Sequence, residues 1–393
     1  MNNERSKLRH HTRAMACAAL LATLWAAGAT AGLAAEAALE LLPGEPQFEL
    51  QELFPGRGGR SIVVAQDGTV LAFHGRGVRR STDAGKTWNP PLEIGPDAGG
   101  NAMVNETTGH VMLVRPDQGR LWRSTDAGAT WSREEITVLP NGFGHGSPDG
   151  VPANAGAMQP GVTLQYGKHK GRLLMPARCQ PPEGNNEVRW WPYNYNTSIY
   201  SDDRGRTWQT STPFPVLGTG EGTLAELSDG RVYYNSREHM SKGNRFIAWS
   251  HDGGATWLNP SRCRVLPDGM RGDPYGCMGG LVRLPVDGRD ILVYSNLDSD
   301  GGQFRGRGRQ KITVWASFDG AETWPVKRLV FDGPSAYSNL AAGRPGTPTE
   351  GQIYLLFEGG RGGQYEAVHV ARFNLAWLLG GEPTGDGEAP KLE

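Results

Sequence analysis

The chain has 393 residues, 21% of them charged, with a formal net charge of −1, a balance that excludes a polyelectrolyte partner such as nucleic acid and excludes bulk disorder. Its 56 glycines, 27 prolines and 12 tryptophans exclude long helices as the main element and predict short strands joined by tight turns.

At the N-terminus Arg5, Lys7, Arg9 and Arg13 precede the apolar run AMACAALLATLWAAGATAGLAA, which ends in small residues around Ala35 to Ala37. This layout predicts a secretory signal peptide over residues 1–36 and a secreted or periplasmic protein. A retained anchor is the competing reading, because the run approaches the ~20 residues of a bilayer span. Cys17 lies inside the run without a lipobox before it. Removing residues 1–35 takes away four basic side chains and Glu4, which leaves a mature charge of about −4 and no expectation of membrane insertion. Of the remaining cysteines, Cys179, Cys263 and Cys277, a Cys263–Cys277 disulfide and buried free thiols are both compatible with an oxidising compartment. Their spacing resembles no metal site, and no cofactor is expected.

The octapeptide STDAGKTW at residues 81–88 returns as STDAGATW at 124–131, SDDRGRTW at 201–208, SHDGGATW at 250–257 and SFDGAETW at 317–324. The aspartates Asp83, Asp126, Asp203, Asp252 and Asp319 are 43, 77, 49 and 67 positions apart, so one unit recurs with variable insertions. A short carboxylate and a hydroxyl can satisfy turn backbone, Gly permits positive φ, and Trp supplies apolar cover. Strand-like runs such as TVLAFHGRGVRRS and KITVWAS precede the copies. Four-stranded units of roughly 55 residues repeated radially predict an all-β propeller. Between the second strand-like pair and the third copy, CQPPEGNNEVRWWPYNYNTS brings Trp190, Trp191, Tyr193 and Tyr195 close together. These side chains form either a sugar-stacking platform or loop packing. The NTS at Asn196 fits an acceptor sequon.

The Ser-x-Asp-x-Gly-x-Thr-Trp spelling is the Asp-box, and the chain resembles the bacterial exo-α-sialidase (neuraminidase) family, Asp-box or BNR-repeat proteins with six-bladed propellers. Five boxes over about 340 mature residues fit six blades with one box lost. The expected organisation is a propeller over residues 45–380 and a disordered tail over 381–393. Asp-boxes also occur in propellers without glycosidase activity, so they identify architecture and leave chemistry to the segments between them.

In GEGTLAELSDGRVYYNSR, the resemblance assigns Glu221, the pair Glu226 and Leu227, and Arg237 sixteen positions after Glu221; an ordinary exposed hairpin is the competing reading. In RGRGRQKITVWAS, Arg309 stands eight positions before the box serine Ser317, where the family has a binding arginine. Arg307 is held in reserve, Arg305 is close by, and a basic solvated loop is the alternative. AYSNLAA followed by QIYLLFE and VHVARFNLAWLLGG is similar to the family's closing motifs, which makes Tyr337 the nucleophile and Glu358 the carboxylate that steadies an arginine. A buried core tyrosine is the alternative for Tyr337. The first family arginine falls on Gly58 in GRGGRSIVVAQDGTVLAF. Strand alternation then selects Arg60, on the same face, over Arg57 on the opposite one.

The residue types suit an α-keto-acid sugar. Guanidiniums pair with its carboxylate by short, often bidentate bonds. A neutral phenol avoids the repulsion that a carboxylate nucleophile would meet, and a glutamate, Glu221, draws off its proton. One part is missing: the family's acid/base aspartate belongs to a first-blade loop, and the interval HGRGVRR at residues 74–80 is short and holds no carboxylate. His74, Asp97 and Asp149 are substitutes, each more in keeping with a loop or capping role. The resemblance therefore implies a secreted hydrolase of terminal sialic acid or a related anionic sugar on glycoconjugates, acting as a monomer. The alternative is a non-catalytic carbohydrate-binding propeller that has lost its proton donor. An Asp-box protein-interaction platform is the third reading.

Overall fold

The computed structural model describes residues 44–143, 155–181, 187–269, 276–300 and 308–390, without the side chain of Arg60. Among the described residues the chain is all-β apart from a few short helical turns, and its strands join into five sheets in a propeller-like arrangement. The first sheet holds Gly59–Val64, Val70–His74, Gly77–Ser81 and Leu92–Glu93. The second holds Asn101–Val104, Val111–Arg115, Arg120–Ser124 and Ser132–Glu135. The third is built on Leu173–Cys179, Tyr195–Ser201 and Thr207–Thr210, and the fourth holds Thr219–Glu226, Val232–Glu238, Asn244–Ser250 and Leu258–Pro267.

The remaining strands form one eight-stranded sheet, so the six separate blades expected from the repeat are replaced by four separate blades and a continuous sheet. The physical reason is one long strand, Val326–Ala342, of 17 residues. Its first half pairs with Gln310–Ser317 and its second half with Gln352–Gly359, so hydrogen bonding runs on without a break. At the far edge Phe48–Pro55 pairs antiparallel with Ala367–Asn374, which ties the first strand of the ring to one of its last.

Period-two alternation puts successive side chains of an inner strand into two different cores. Ile62 and Val64 pack with Tyr354 and Val368 of the eight-stranded sheet, while Val63 and Ala65 pack with Ala102 and Leu113 of the second sheet. Equivalent clusters fill the gaps from the second to the third sheet, the third to the fourth, and the fourth to the eight-stranded sheet. Burial therefore lies between sheets all the way round.

Each Asp-box starts on the last residue of a strand. Ser81 Oγ donates to Asp83 Oδ1 (2.8 Å) and accepts from Gly85 N (2.8 Å), while Thr87 N and Thr87 Oγ1 donate to the Asp83 carboxylate at 2.9 and 2.7 Å. The same Ser–Asp pairing recurs at Asp126, Asp203, Asp252 and Asp319. Two consecutive residues hold positive φ in every box, Ala84 and Gly85 in the first and Gly320 and Ala321 in the last. The box is more than a hairpin clasp, because it also packs on the preceding sheet. A Cβ at Gly128 would lie 2.1 Å from Leu71 Cδ2, at Gly205 2.5 Å from Met112 Cε, and at Gly254 2.4 Å from Leu174 Cδ1. Tyr354 of the eight-stranded sheet donates its hydroxyl to Ala84 O (3.0 Å), so the first box closes the ring.

Two stability predictions arise here. Gly254→Val, which combines a φ of +85° with the clash on Leu174, is expected to cost about 2–4 kcal/mol in urea unfolding; an unchanged midpoint would show that the boxes do not space the sheets. Asp126→Ala is expected to cost about 1–2 kcal/mol at neutral pH. For Asp126, burial, which alone raises a carboxyl, is outweighed by bonds from Thr130 and Ser124 that hold it at about 2 against an ordinary 3.8. Stability from this carboxylate is therefore complete above pH 3.8 and fades as pH falls to about 2. The gap between wild type and Asp126→Ala in thermal melts should narrow across that window.

Other expectations are corrected by the packing. Cys179, Cys263 and Cys277 are buried free thiols, so the Cys263–Cys277 disulfide is not formed. Residues 382–386 are packed instead of belonging to a disordered tail: Glu382–Pro383 pairs with Lys327 and Val326, and the Asp386 carboxylate accepts from Trp324 N at 3.0 Å. Asn196 is buried, with Nδ2 donating to Ser236 Oγ at 2.6 Å, so its sequon is closed in the folded protein. Among the described residues no helix is long and apolar enough to cross a membrane.

Candidate active site

Three inner strands carry an extra residue where the candidate residues sit. Thr219 faces Glu238 and Gly222 faces Ser236, so Gly220 and Glu221 together oppose the single residue Arg237. Ser335 faces Gly359 and Ser338 faces Phe357, so Ala336 and Tyr337 oppose Glu358. Gly59 faces His74 and Ser61 faces Phe73, which leaves Arg60 as the unpaired residue. Bulges re-aim side chains at sheet ends, and here they set Glu221 against Arg237 and Tyr337 against Glu358. The glycines flanking Glu221 are required by close approach: a Cβ at Gly220 would lie 2.1 Å from His239 Cε1, and one at Gly222 2.1 Å from Tyr234 Cε1.

Arg237 is 1% exposed and its Nη1 donates to Glu221 Oε2, while Arg178 Nη1 stands 3.6 Å from Glu221 Oε1. Burial opposes ionisation of Glu221, but Arg237 and Arg178 outweigh it and hold the carboxyl at about 2. Behind this pair, buried Arg245 bonds to Asp268 (2.8 Å) and to Glu221 O (3.2 Å). His239 Nδ1 donates to Gly218 O (3.0 Å) and its ring lies 6.0 Å from that of Trp191. Burial, with Arg237 beside it, pushes the imidazole well below its ordinary value, so it is neutral at neutral pH.

Arg309 joins the second half of the site. Its Nη2 donates to Gly276 O (2.8 Å), its Nη1 donates to Tyr365 Oη (3.0 Å), and its Cζ lies 5.1 Å from the centre of the Tyr337 ring. Arg57 Cζ stands 4.6 Å from the Tyr365 ring centre and 5.5 Å from that of Tyr337. Glu358 Oε1 accepts from Gly58 N (2.9 Å), the residue after Arg57. The two halves are linked through Gly276 and Cys277: Arg309 donates to Gly276 O, while Arg245 donates to Cys277 O (3.1 Å) and to Glu221 O. Burial raises the Cys277 thiol, against the pull of Arg309 and Arg237.

Two residues, Arg57 and Glu221, stand otherwise than the sequence reading expects. Arg57, which strand alternation turned away, is the arginine over Tyr337; it precedes the strand, between Gly56 (φ 71°) and Gly58 (φ 136°), where alternation has no force. The side chain of Arg60 lies outside the described residues, as do Arg305, Arg307 and Asp149. No hydrogen bond joins Glu221 to Tyr337 among the described residues; Glu221 bonds to Arg237. Asp97 is committed to Arg120 (2.7 Å) and Arg133 (3.5 Å), and His74 stacks on Phe54 with ring centres 4.8 Å apart. Of the inserted aromatics, Trp191 and Tyr195 are buried while Trp190 and Tyr193 are half-exposed, so the loop both packs and presents rings.

Arg178, His239 and Tyr365 are site residues that sequence reasoning missed. Arg178 lies in MPARC, near the end of the strand Leu173–Cys179. Tyr365 follows the glycine-rich GGRGGQ, which resembles no motif.

A cavity of about 390 Å³ lies elsewhere. It is lined by Ile62, Val64, Leu224, Glu226 and Leu340, at the other ends of the strands that carry the site. At ~3.3 Å per residue, Glu221 and Glu226 are roughly 16 Å apart along their strand. Its charged groups are engaged: Arg344 with Glu106 (2.7 Å), Glu226 with Gln165 N (2.6 Å) and Tyr166 N (3.1 Å), and Arg283 with Asp290 (2.6 Å). Among the described residues no group of three or more His, Cys, Asp or Glu is gathered as metal ligands.

A ring of Asp-box sheets with guanidiniums and phenols collected at one end of its inner strands defines an Asp-box propeller. The chain belongs to the BNR repeat-like domain family, whose model matches residues 62–353. It is similar to a sialidase of Micromonospora viridifaciens, 31% identical over 436 residues that cover 95% of this chain and 61% of that protein. It is also similar to a sialidase of Bacteroides fragilis, 26% identical over 65% of this chain and 49% of that protein. The chain therefore spans about half to three fifths of the length of these relatives. Among solved structures, the Hadza microbial sialidase Hz136 superposes with a TM-score of 0.61 at 22% identity, over 82% of this chain and 66% of that one, a likeness of fold.

Proposed function

We propose that the protein is an exo-α-sialidase-like glycoside hydrolase that releases terminal sialic acid, or a related α-keto-acid sugar, from glycoconjugates. The observation that carries this reading is the contact of the Arg309 guanidinium with the Tyr337 phenol, linked through Gly276 and Cys277 to Arg245 and Glu221. Arg237 and Arg309, with Arg57 from the described residues and Arg60 from the sequence, hold the sugar carboxylate. The Tyr337 oxygen bonds to the anomeric carbon as the bond to the leaving oxygen breaks; the phenol proton passes to solvent and the leaving oxygen takes one up, and water then cleaves the tyrosyl–sugar bond, its hydroxyl going to the anomeric carbon and its proton to the phenol oxygen. Arg309 sets positive charge against the phenol oxygen as its proton leaves. Glu221, ionised at any working pH, acts through Arg237, and Glu358 holds the turn that carries Arg57. Residues 1–36 serve as a removable leader that exports a monomer.

The proton donor is unassigned in this scheme, because Val70–His74 and Gly77–Ser81 are joined by Gly75 and Arg76 alone. That tight turn favours the second reading, a propeller that binds the same anionic sugar without cleaving it. An aryl α-sialoside and its methyl ester separate the two readings. The hydrolase releases aryl alcohol from the acid and not from the ester; the binding protein releases none and still shows calorimetric binding of the acid alone. A chain that neither cleaves nor binds the acid has neither function.

A further inference from the structure

The two strands Gln352–Gly359 and Ala367–Asn374 are joined by a loop that holds Gly360, Gly362 and Gly363 and ends in Tyr365 and Glu366. The Glu366 carboxylate accepts from Gly362 N (2.6 Å), and Glu366 O accepts from Gly56 N (2.7 Å). The loop is thereby fastened to the turn that carries Arg57. Its consequence is a cluster in which Arg57 lies over Tyr365, the Tyr365 and Tyr337 rings are 6.3 Å apart at 50°, and Arg309 touches both. Tyr365 is half-exposed, and the other arm of Arg309 donates to Gly276 O.

We infer that Tyr365 is a ligand-contacting residue of this pocket, whose hydroxyl accepts from Arg309 and donates its own proton to the carboxylate of the bound sugar. The inference rests on the anionic-sugar reading above. A phenol oxygen that accepts from a guanidinium keeps one O–H to donate, and among the described residues no acceptor takes it. Burial, against the opposing pull of Arg309, pushes this phenol up to about 12, so the proton is present throughout the working range. The carboxylate thus meets a guanidinium and a neutral donor side by side, with the Tyr365 ring held against Arg57. Such a pair selects a planar, doubly accepting anion over a single-point one.

Calorimetry with sialic acid and with its methyl ester tests this. Tyr365→Phe keeps the ring and removes the donor; it is expected to weaken the acid about ten- to a hundredfold, leave the ester unchanged, and raise KM far more than it lowers kcat. Tyr365→His, which restores a ring donor, should recover part of the loss, and it serves as the reporter if the Phe variant is unstable. Equal affinity for the acid in wild type and Tyr365→Phe overturns the role of Tyr365 and leaves the pocket intact. No binding of the acid by the unaltered protein overturns the anionic-sugar reading and this inference with it.

Discussion

Tyr337→Phe is expected to lower turnover of an aryl α-sialoside by on the order of 10³-fold or more, while thermal stability stays within about 3 °C of wild type. The two halves of this result have separate causes. The ring remains under Arg57 and Arg309, whose guanidinium carbons lie 5.5 and 5.1 Å from its centre, so the packing of the half-exposed side chain is kept. What disappears is the oxygen that forms the bond to the anomeric carbon, and Phe has no substitute for it. Binding of the acid should survive within a few-fold, because Arg237 and Arg309 are untouched. Turnover retained in Tyr337→Phe would move the nucleophile elsewhere, and a melt shifted far downward would make Tyr337 a structural residue.

The second large effect is expected at Arg237. Its side chain is 1% exposed and pairs across a bulge with Glu221, so Arg237→Ala leaves a buried carboxylate with the more distant Arg178 alone. Breaking a buried ion pair from one side costs about 3–5 kcal/mol, to be read by urea unfolding, and affinity for the acid should fall about a hundredfold or more through loss of a charge-assisted contact. The pH dependence carries the signature. Glu221 is held at about 2, against an ordinary 4.5, in the intact protein, so the pair stabilises fully above pH 4.5 and its contribution is lost as pH falls toward 2. The stability gap between wild type and Arg237→Ala should shrink over that interval. Adding Glu221→Gln to Arg237→Ala should restore part of the stability, because it removes the stranded charge, and none of the affinity. A gap independent of pH would show that Arg237 acts through packing alone.

Much of the site was legible because its motif residues follow strand register. GEGTLAEL and VYYNSR lie on paired strands, so a spacing of sixteen positions between Glu221 and Arg237 is the length of the hairpin between them. The omissions fall where register or strand parity stops applying. Alternation passed over Arg57, which sits in a turn between two positive-φ glycines, outside any strand. Tyr365 carries no motif at all, and its place depends on a hydrogen bond from Gly56, more than 300 positions away.

The Asp-box turns, the strand periodicity and the all-β class were determined by the sequence alone, because each rests on bonds closed within a few residues: Ser81, Asp83, Gly85 and Thr87 satisfy one another whatever surrounds them. Only the tertiary structure decided that the boxes wedge against the preceding sheet, that Val326–Ala342 merges two sets of strands, and that Arg57 and Tyr365 join the pocket. These features depend on where separate strands end and which loops touch once the ring has closed, and no local pattern of side chains encodes contacts that closure alone creates.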